Sequence, residues 1–122
     1  MKKLLCVGNC GFDGPEIKRI LENNFDVEVL NIGTIDESLK KMKNEKFDLI
    51  IVNRICATDN TPGIKLIDHI KKNKIRIPIM MITNYKDKMD EALKHGAVPG
   101  CGKEDIFNFN KKALEIFKRY LK

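Results

Sequence analysis

Phe47-Asp48-Leu49-Ile50-Ile51-Val52-Asn53 is the stretch on which the reading of this chain turns. From Leu49 to Val52 it is apolar without interruption. A strand with one wet face alternates apolar and polar residues, whereas one covered by helices on both faces is apolar throughout and belongs to a parallel sheet. The flanks agree with that. Upstream, Thr34-Ile35-Asp36-Glu37 has the form of a capping box, opening a helix that carries Ile35, Leu39 and Met42 inward. Downstream, Thr61-Pro62 opens another helix with Ile64, Ile67 and Ile70 on one side.

Working outward, the same alternation covers the whole chain. Lys3 to Val7 reads as a first strand, Gly8 to Gly14 as turn chemistry, and Pro15 as the start of a helix that Asn23-Asn24 ends. Val27 to Ile32 alternates like a strand, and Ile77 to Ile82 is a second fully buried one. Asp87 to His95 is a short helix stopped by Gly96, and Ala97 to Gly102 a weak strand diluted by Pro99, Gly100 and Gly102. A long amphipathic helix from Glu104 to Lys122 closes the chain. The expectation is an α/β fold: a doubly wound, five-stranded parallel sheet with five helices, residues 1–122 forming one domain.

Composition narrows the function. The 122 residues are 43% hydrophobic and 33% charged, typical of a globular domain. No apolar run approaches the ~20 residues of a membrane span. The basic, apolar start meets Gly8-Asn9 too soon for a signal peptide, so a cytoplasmic location is expected. A net charge of +6 is spread along the chain. Its one dense cluster, Lys71 to Arg76, suits a helix end, which disfavours nucleic acid as a partner. Cys6, Cys10, Cys56 and Cys101 form no C-x-x-C pair, and neither His69 nor His95 has a second ligand at i+4, so no metal site is expected.

In a doubly wound sheet, ligands bind beyond the carboxyl ends of the strands. That places attention on Gly8-Asn9, Asn53, Thr83 and Lys103. Asp48-Leu49-Ile50-Ile51-Val52-Asn53, followed by Gly63-Ile64-Lys65-Leu66-Ile67, Pro78-Ile79-Met80-Met81-Ile82-Thr83, Gly96-Ala97 and Lys103, resembles the receiver domain of bacterial response regulators over essentially the whole chain. The resemblance implies a flavodoxin-like (βα)5 topology and a two-component signalling role. It also implies a phosphoacceptor pocket at Gly8, Asn9, Asn53, Thr83 and Lys103.

The departures are concentrated in that pocket. Asparagine stands at the acceptor position, Gly8-Asn9 where the family carries acidic Mg²⁺ ligands, Gly100 at the strand-five aromatic, and Glu104 at the proline after the lysine. An amide is no phosphoryl nucleophile, and Mg²⁺ seeks anionic oxygen. The reading is therefore a stand-alone, degenerate receiver. It is not an enzyme, is not phosphorylated on aspartate, holds no Mg²⁺ or other cofactor, and acts by docking onto a signalling protein.

The alternative is a domain sensing a small anion or nucleotide over the glycine-bearing loop of Gly11, Asp13 and Gly14, which leads into a helix N-terminus. Asp13 reads as a solvated turn residue, with restoration of one metal carboxylate as its other option. Lys103 and Thr83 would add donors for that anion, the other option being that Lys103 points to solvent or bonds a loop carbonyl. A reactive thiolate at Cys10 or Cys56, with Cys101 and Lys103 nearby, is the third option, against small apolar filler. In the last helix, Ile106, Phe109, Ala113, Ile116, Phe117 and Tyr120 make a core stripe. Phe107, Leu114 and Leu121 make a second one, expected to be partly exposed and to serve a protein interface. The family resemblance points to a homodimer through the fourth helix, fifth strand and fifth helix.

Overall fold

A computed structural model describes all of residues 1–122. In chain order the elements are β1 Lys2–Val7, α1 Asp13–Asn24, β2 Val27–Ile32, α2 Ile35–Asn44 and β3 Leu49–Asn53, then α3 Ile64–Lys72, β4 Ile79–Ile82, α4 Lys86–Lys94, α5 Lys103–Asn108 and α6 Lys111–Leu121. The sheet is parallel throughout, in the order β2-β1-β3-β4.

The continuous apolar runs are explained by two cores. Leu4, Cys6, Leu49, Ile51, Met80 and Ile82 face one layer, packed with Ile17 and Leu21 of α1, Ile106 of α5 and Phe117 of α6. The alternate residues Leu5, Val7, Ile50, Val52, Ile79 and Met81 face the other, with Leu66, Ile67 and Ile70 of α3 and Ala92 of α4. Successive side chains of a strand point to opposite faces, so both phases of the strand repeat are apolar. Asp48 sets the register at the far end of β3, where its carboxylate accepts the Lys3 N–H at 2.8 Å.

Three expectations are corrected. The sheet has four strands and the chain six helices, not five of each. Residues 97–102 run extended beside β4 but meet it through only two backbone bonds, Val98 N–H to the Ile79 carbonyl and Thr83 N–H to the Cys101 carbonyl. Pro99 has no N–H to donate to a ladder, and Gly100 lies so close to β4 that a Cβ on it would sit 2.5 Å from the Met81 oxygen. The closing helix is two helices. Phe109, at φ 42°, breaks it, the Asn110 side chain accepts the Ala113 N–H to cap α6, and the Phe109 ring meets Phe25 edge-on at 6.0 Å. Phe107 of α5 and Leu114 of α6 are exposed, while Leu121 at the end of α6 is buried at 2% and belongs to the core with Ile116 and Phe117. The three residues therefore do not form one exposed stripe.

Other boundaries moved by less. α1 begins at Asp13, ahead of Pro15, and α3 begins at Ile64, leaving Pro62 in a bridge with Ile55. At α2, Thr34 caps as expected, its hydroxyl accepting the Glu37 N–H at 3.2 Å, while the Glu37 carboxylate bonds that hydroxyl rather than the backbone.

The open edge at β2 is guarded. Lys18 Nζ donates to the Val29 carbonyl at 2.7 Å, Glu22 accepts the Val29 N–H at 2.9 Å, and the two side chains pair with each other at 2.7 Å. These are the backbone groups that a neighbouring strand would use.

Candidate functional site

The carboxyl ends of β1, β3 and β4 and of the 97–102 segment converge on one rim, and the topology brings Gly8, Asn9, Asn53, Thr83 and Lys103 there. The β3 corner is set by backbone. Gly63 comes so close to β3 that a Cβ on it would lie 2.2 Å from the Asn53 oxygen. Gly8 has φ +88° and lies against Cys56, where a Cβ would meet Sγ at 2.7 Å. Both positions exclude a side chain, one by contact and one by contact and conformation together.

Asn53 acts here as a donor. Its Nδ2 donates to the Ile55 carbonyl at 2.8 Å and, more weakly, to the Gly8 carbonyl at 3.4 Å. It ties the end of β3 to the turn after it and to the turn after β1. A carboxylate in that place has no hydrogen to give and faces two carbonyl oxygens. Asn9 turns its Nδ2 to Cys6 Sγ at 3.1 Å, leaving its Oδ1 buried without a partner. Thr83 is buried at 8%, and its hydroxyl accepts the Tyr85 N–H at 3.1 Å.

Lys103 and Asp13 correct the sequence reading. Lys103 Nζ donates to Asp13 Oδ2 at 2.8 Å, both side chains about one-quarter exposed at 24% and 27%. Asp13 is therefore an ion-pair partner at the first turn of α1 rather than a solvated turn residue. Lys103 reaches neither solvent alone nor a carbonyl. Asp13 is the only carboxylate among the candidate residues, and its charge is already answered by the ammonium.

The glycine-bearing loop spends several of its donors internally. Gly8 N–H donates to the Ile32 carbonyl, Gly14 N–H to the Cys10 carbonyl and Asp13 N–H to Cys10 Sγ. With those three donors engaged and the Asp13 carboxylate beside them, the loop's geometry gives the anion-cradle reading no support. The thiol option fares no better. Burial pushes both Cys6 and Cys101 up to about 12, and pushes Cys56 up as well, so these three are core filler and not nucleophiles. Cys10 is exposed, in the loop.

Two rim residues escaped sequence reading. The Arg54 guanidinium lies 5.3 Å from the centre of the Tyr85 ring, bridging the β3–α3 and β4–α4 turns. Their only sequence signal is position, Arg54 directly after Asn53 and Tyr85 two residues after Thr83. With Asn53, Thr83, Asn84 and Lys103 they line a cleft of about 180 Å³.

A family profile, that of the response regulator receiver domain, matches residues 15–104. The chain belongs to the receiver domain family. Among curated proteins, this receiver is 30% identical over 90 residues to the probable C4-dicarboxylate response regulator DctR of Bacillus subtilis (strain 168), a match covering 72% of this chain and 39% of that one. The chain thus spans about two-fifths of that relative's length. Among solved structures, it superposes on Vibrio cholerae chemotaxis protein CheY4 with a TM-score of 0.77 at 23% identity, covering 99% of each chain. It superposes on the beryllofluoride-activated NtrC4 receiver domain dimer with a TM-score of 0.73 at 27% identity, covering 96% of this chain and 99% of that one. The flavodoxin-like receiver fold and a place in two-component signalling follow from these likenesses. No helix is long and apolar enough to cross a membrane.

Proposed function

We propose that this receiver is not switched by aspartyl phosphorylation and works as a docking module for a signalling protein. The observation that carries the reading is the Asn53 amide, whose N–H groups hold the Ile55 and Gly8 carbonyls. An acceptor aspartate has no N–H for that duty and offers a nucleophilic oxygen instead, whereas asparagine performs the duty and is no phosphoryl nucleophile. The donor set does not fit Mg²⁺, which requires anionic oxygens in near-octahedral array. Gly8 offers no side chain, Asn9 and Asn53 are neutral, and Asp13 is bound to Lys103. Neither cofactor nor catalysis belongs to this reading, and a cytoplasmic setting does.

Incubating the chain with Mg²⁺ and a small-molecule phosphodonor, then weighing it intact, tests the proposal. The expected result is an unchanged mass, for wild type and for Asn53→Asp alike. A stoichiometric gain of one phosphoryl group on the wild type defeats the reading.

The docking surface we assign to homodimerisation is the pair of exposed side chains Phe107 and Leu114, 39% and 41% accessible. The NtrC4 receiver dimer supports dimerisation within this fold. In sedimentation, the wild type is expected to dimerise and Leu114→Glu to run as a monomer. A wild type that stays monomeric at high concentration removes the assignment.

A further inference from the structure

The rim cleft carries the opposite charge from a metal pocket. Arg54 and Lys103 line it together with the neutral side chains of Asn53, Thr83, Asn84 and Tyr85, and no aspartate or glutamate is among its lining residues. Arg54 pairs with no carboxylate. Instead its guanidinium is held against the Tyr85 ring, which is 58% exposed. A stacked guanidinium is already ordered, so less freedom is lost when it binds, and its fork matches a carboxylate. Phe12, 85% exposed, directly precedes Asp13, the ion-pair partner of Lys103.

We propose that this cleft receives an acidic side chain, aspartate or glutamate, from a partner protein, with the carboxylate between Arg54 and Lys103 and apolar partner residues against Tyr85 and Phe12. The proposal rests on the docking reading above and names the chemistry of the partner. Charge complementarity selects a carboxylate. The exposed aromatics select a protein over a free ion, because tyrosine and arginine are the residues on which protein interfaces concentrate their affinity. A free ion would use the two cations and leave both rings in water.

The Asp13–Lys103 pair gives the proposal a distinctive signature. Asp13 is an internal competitor for the ammonium at 2.8 Å, so removing its charge frees Lys103 for the incoming group. A merely structural role for the pair would weaken binding on the same substitution. Competition strengthens it.

The test is a ¹H–¹⁵N titration of the full chain with acetyl-Glu-Phe-Glu-Leu-amide, its glutamine counterpart acetyl-Gln-Phe-Gln-Leu-amide, and inorganic phosphate. The glutamate peptide is expected to shift the amides of Arg54, Thr83, Tyr85 and Lys103, with the glutamine peptide much weaker and phosphate weaker than the glutamate peptide. Arg54→Gln should weaken the glutamate peptide about tenfold, as loss of one charge-assisted bond implies. Asp13→Asn should tighten it by about two- to fivefold, the range of a partly exposed ion pair. The same spectra report whether each variant is folded. Equal shifts from both peptides, shifts mapping elsewhere, no shifts, or phosphate binding as tightly as peptide each overturn the proposal. Phosphorylation of the wild type would remove the reading it rests on, yet leave this titration interpretable, so the two failures are separable.

Discussion

The two walls of the rim cleft are built on different principles. The wall at β3 is fixed by backbone: Gly63 against the Asn53 carbonyl, Gly8 at positive φ against Cys56, and the Asn53 amide bonded across both turns. The wall at the chain's later end joins an ion pair, Lys103 with Asp13, to an extended segment that meets β4 through two backbone bonds and the close approach of Gly100 to the Met81 oxygen. Steric constraints at van der Waals contact are stiff and indifferent to solvent. A partly exposed ion pair is soft, screened by salt and open to competition. The β3 side of the cleft is therefore a fixed template, and the adjustable element on the other side is its ion pair.

Substitutions should rank accordingly. Gly63→Ala strikes the template hardest, because its Cβ would overlap the Asn53 oxygen at 2.2 Å with Val52 Cγ2 at 3.1 Å behind it. A loss of about 3 kcal/mol in urea unfolding is expected, the upper range for overpacking. A loss below 1 kcal/mol would show that the β3–α3 turn yields and that this wall is not stiff. Asn53→Asp comes next. Removing the two donated bonds and placing a carboxylate against two carbonyls should cost about 1–3 kcal/mol at neutral pH, measured the same way. Equal stability of the two proteins would mean that the amide's donor duty is unimportant.

On the softer wall, Asp13→Asn should cost less than about 1 kcal/mol, and the difference from wild type should shrink in 1 M salt. A loss as large as that of Gly63→Ala would erase the distinction between the walls. Gly11→Ala is the smallest expected change. A Cβ there meets nothing within 4 Å, so stability should stay within about 0.5 kcal/mol. Circular dichroism melts of the two loop variants side by side would sharpen the contrast between a glycine that is needed and one that is not.

How much of this was legible in the sequence depends on how local each cause is. Leu49 to Val52 announced a strand buried on both faces because the two strand phases are written side by side in the chain. Thr34 and Glu37 announced a helix start because a cap spans a few residues. The Asp13–Lys103 bond joins residues 90 apart, and no periodicity or spacing reports it. The donor role of Asn53 depends on carbonyls of Gly8 and Ile55 that only the folded turns supply. At the last helix the sequence pattern misled. Phe109 is a tolerable helix residue, and only the caps at Asn110 and Asp105, with the Phe25 contact, show why the chain turns there. The weakness of the fifth strand was visible in Pro99 and Gly100, yet the close approach of Gly100 to Met81 was not.

The guard on β2 has a consequence for handling the protein in acid. Glu22 sits below the ordinary carboxylate range, chiefly because Lys18 bonds it and secondly because the Val29 N–H does. A lowered folded value means that its stabilising contribution is complete above the usual glutamate range and drains away as pH falls through that lowered value. Protonated Glu22 loses its charged hold on Lys18, and the Val29 N–H and carbonyl become free to pair with another chain. Acidified solutions should then form intermolecular β-structure, seen as rising light scattering with a thioflavin T signal. Glu22→Gln should bring that onset toward neutral pH. A clear solution for both proteins down to the acid-unfolding transition would show that shelf life at low pH is set by something other than this single exposed edge.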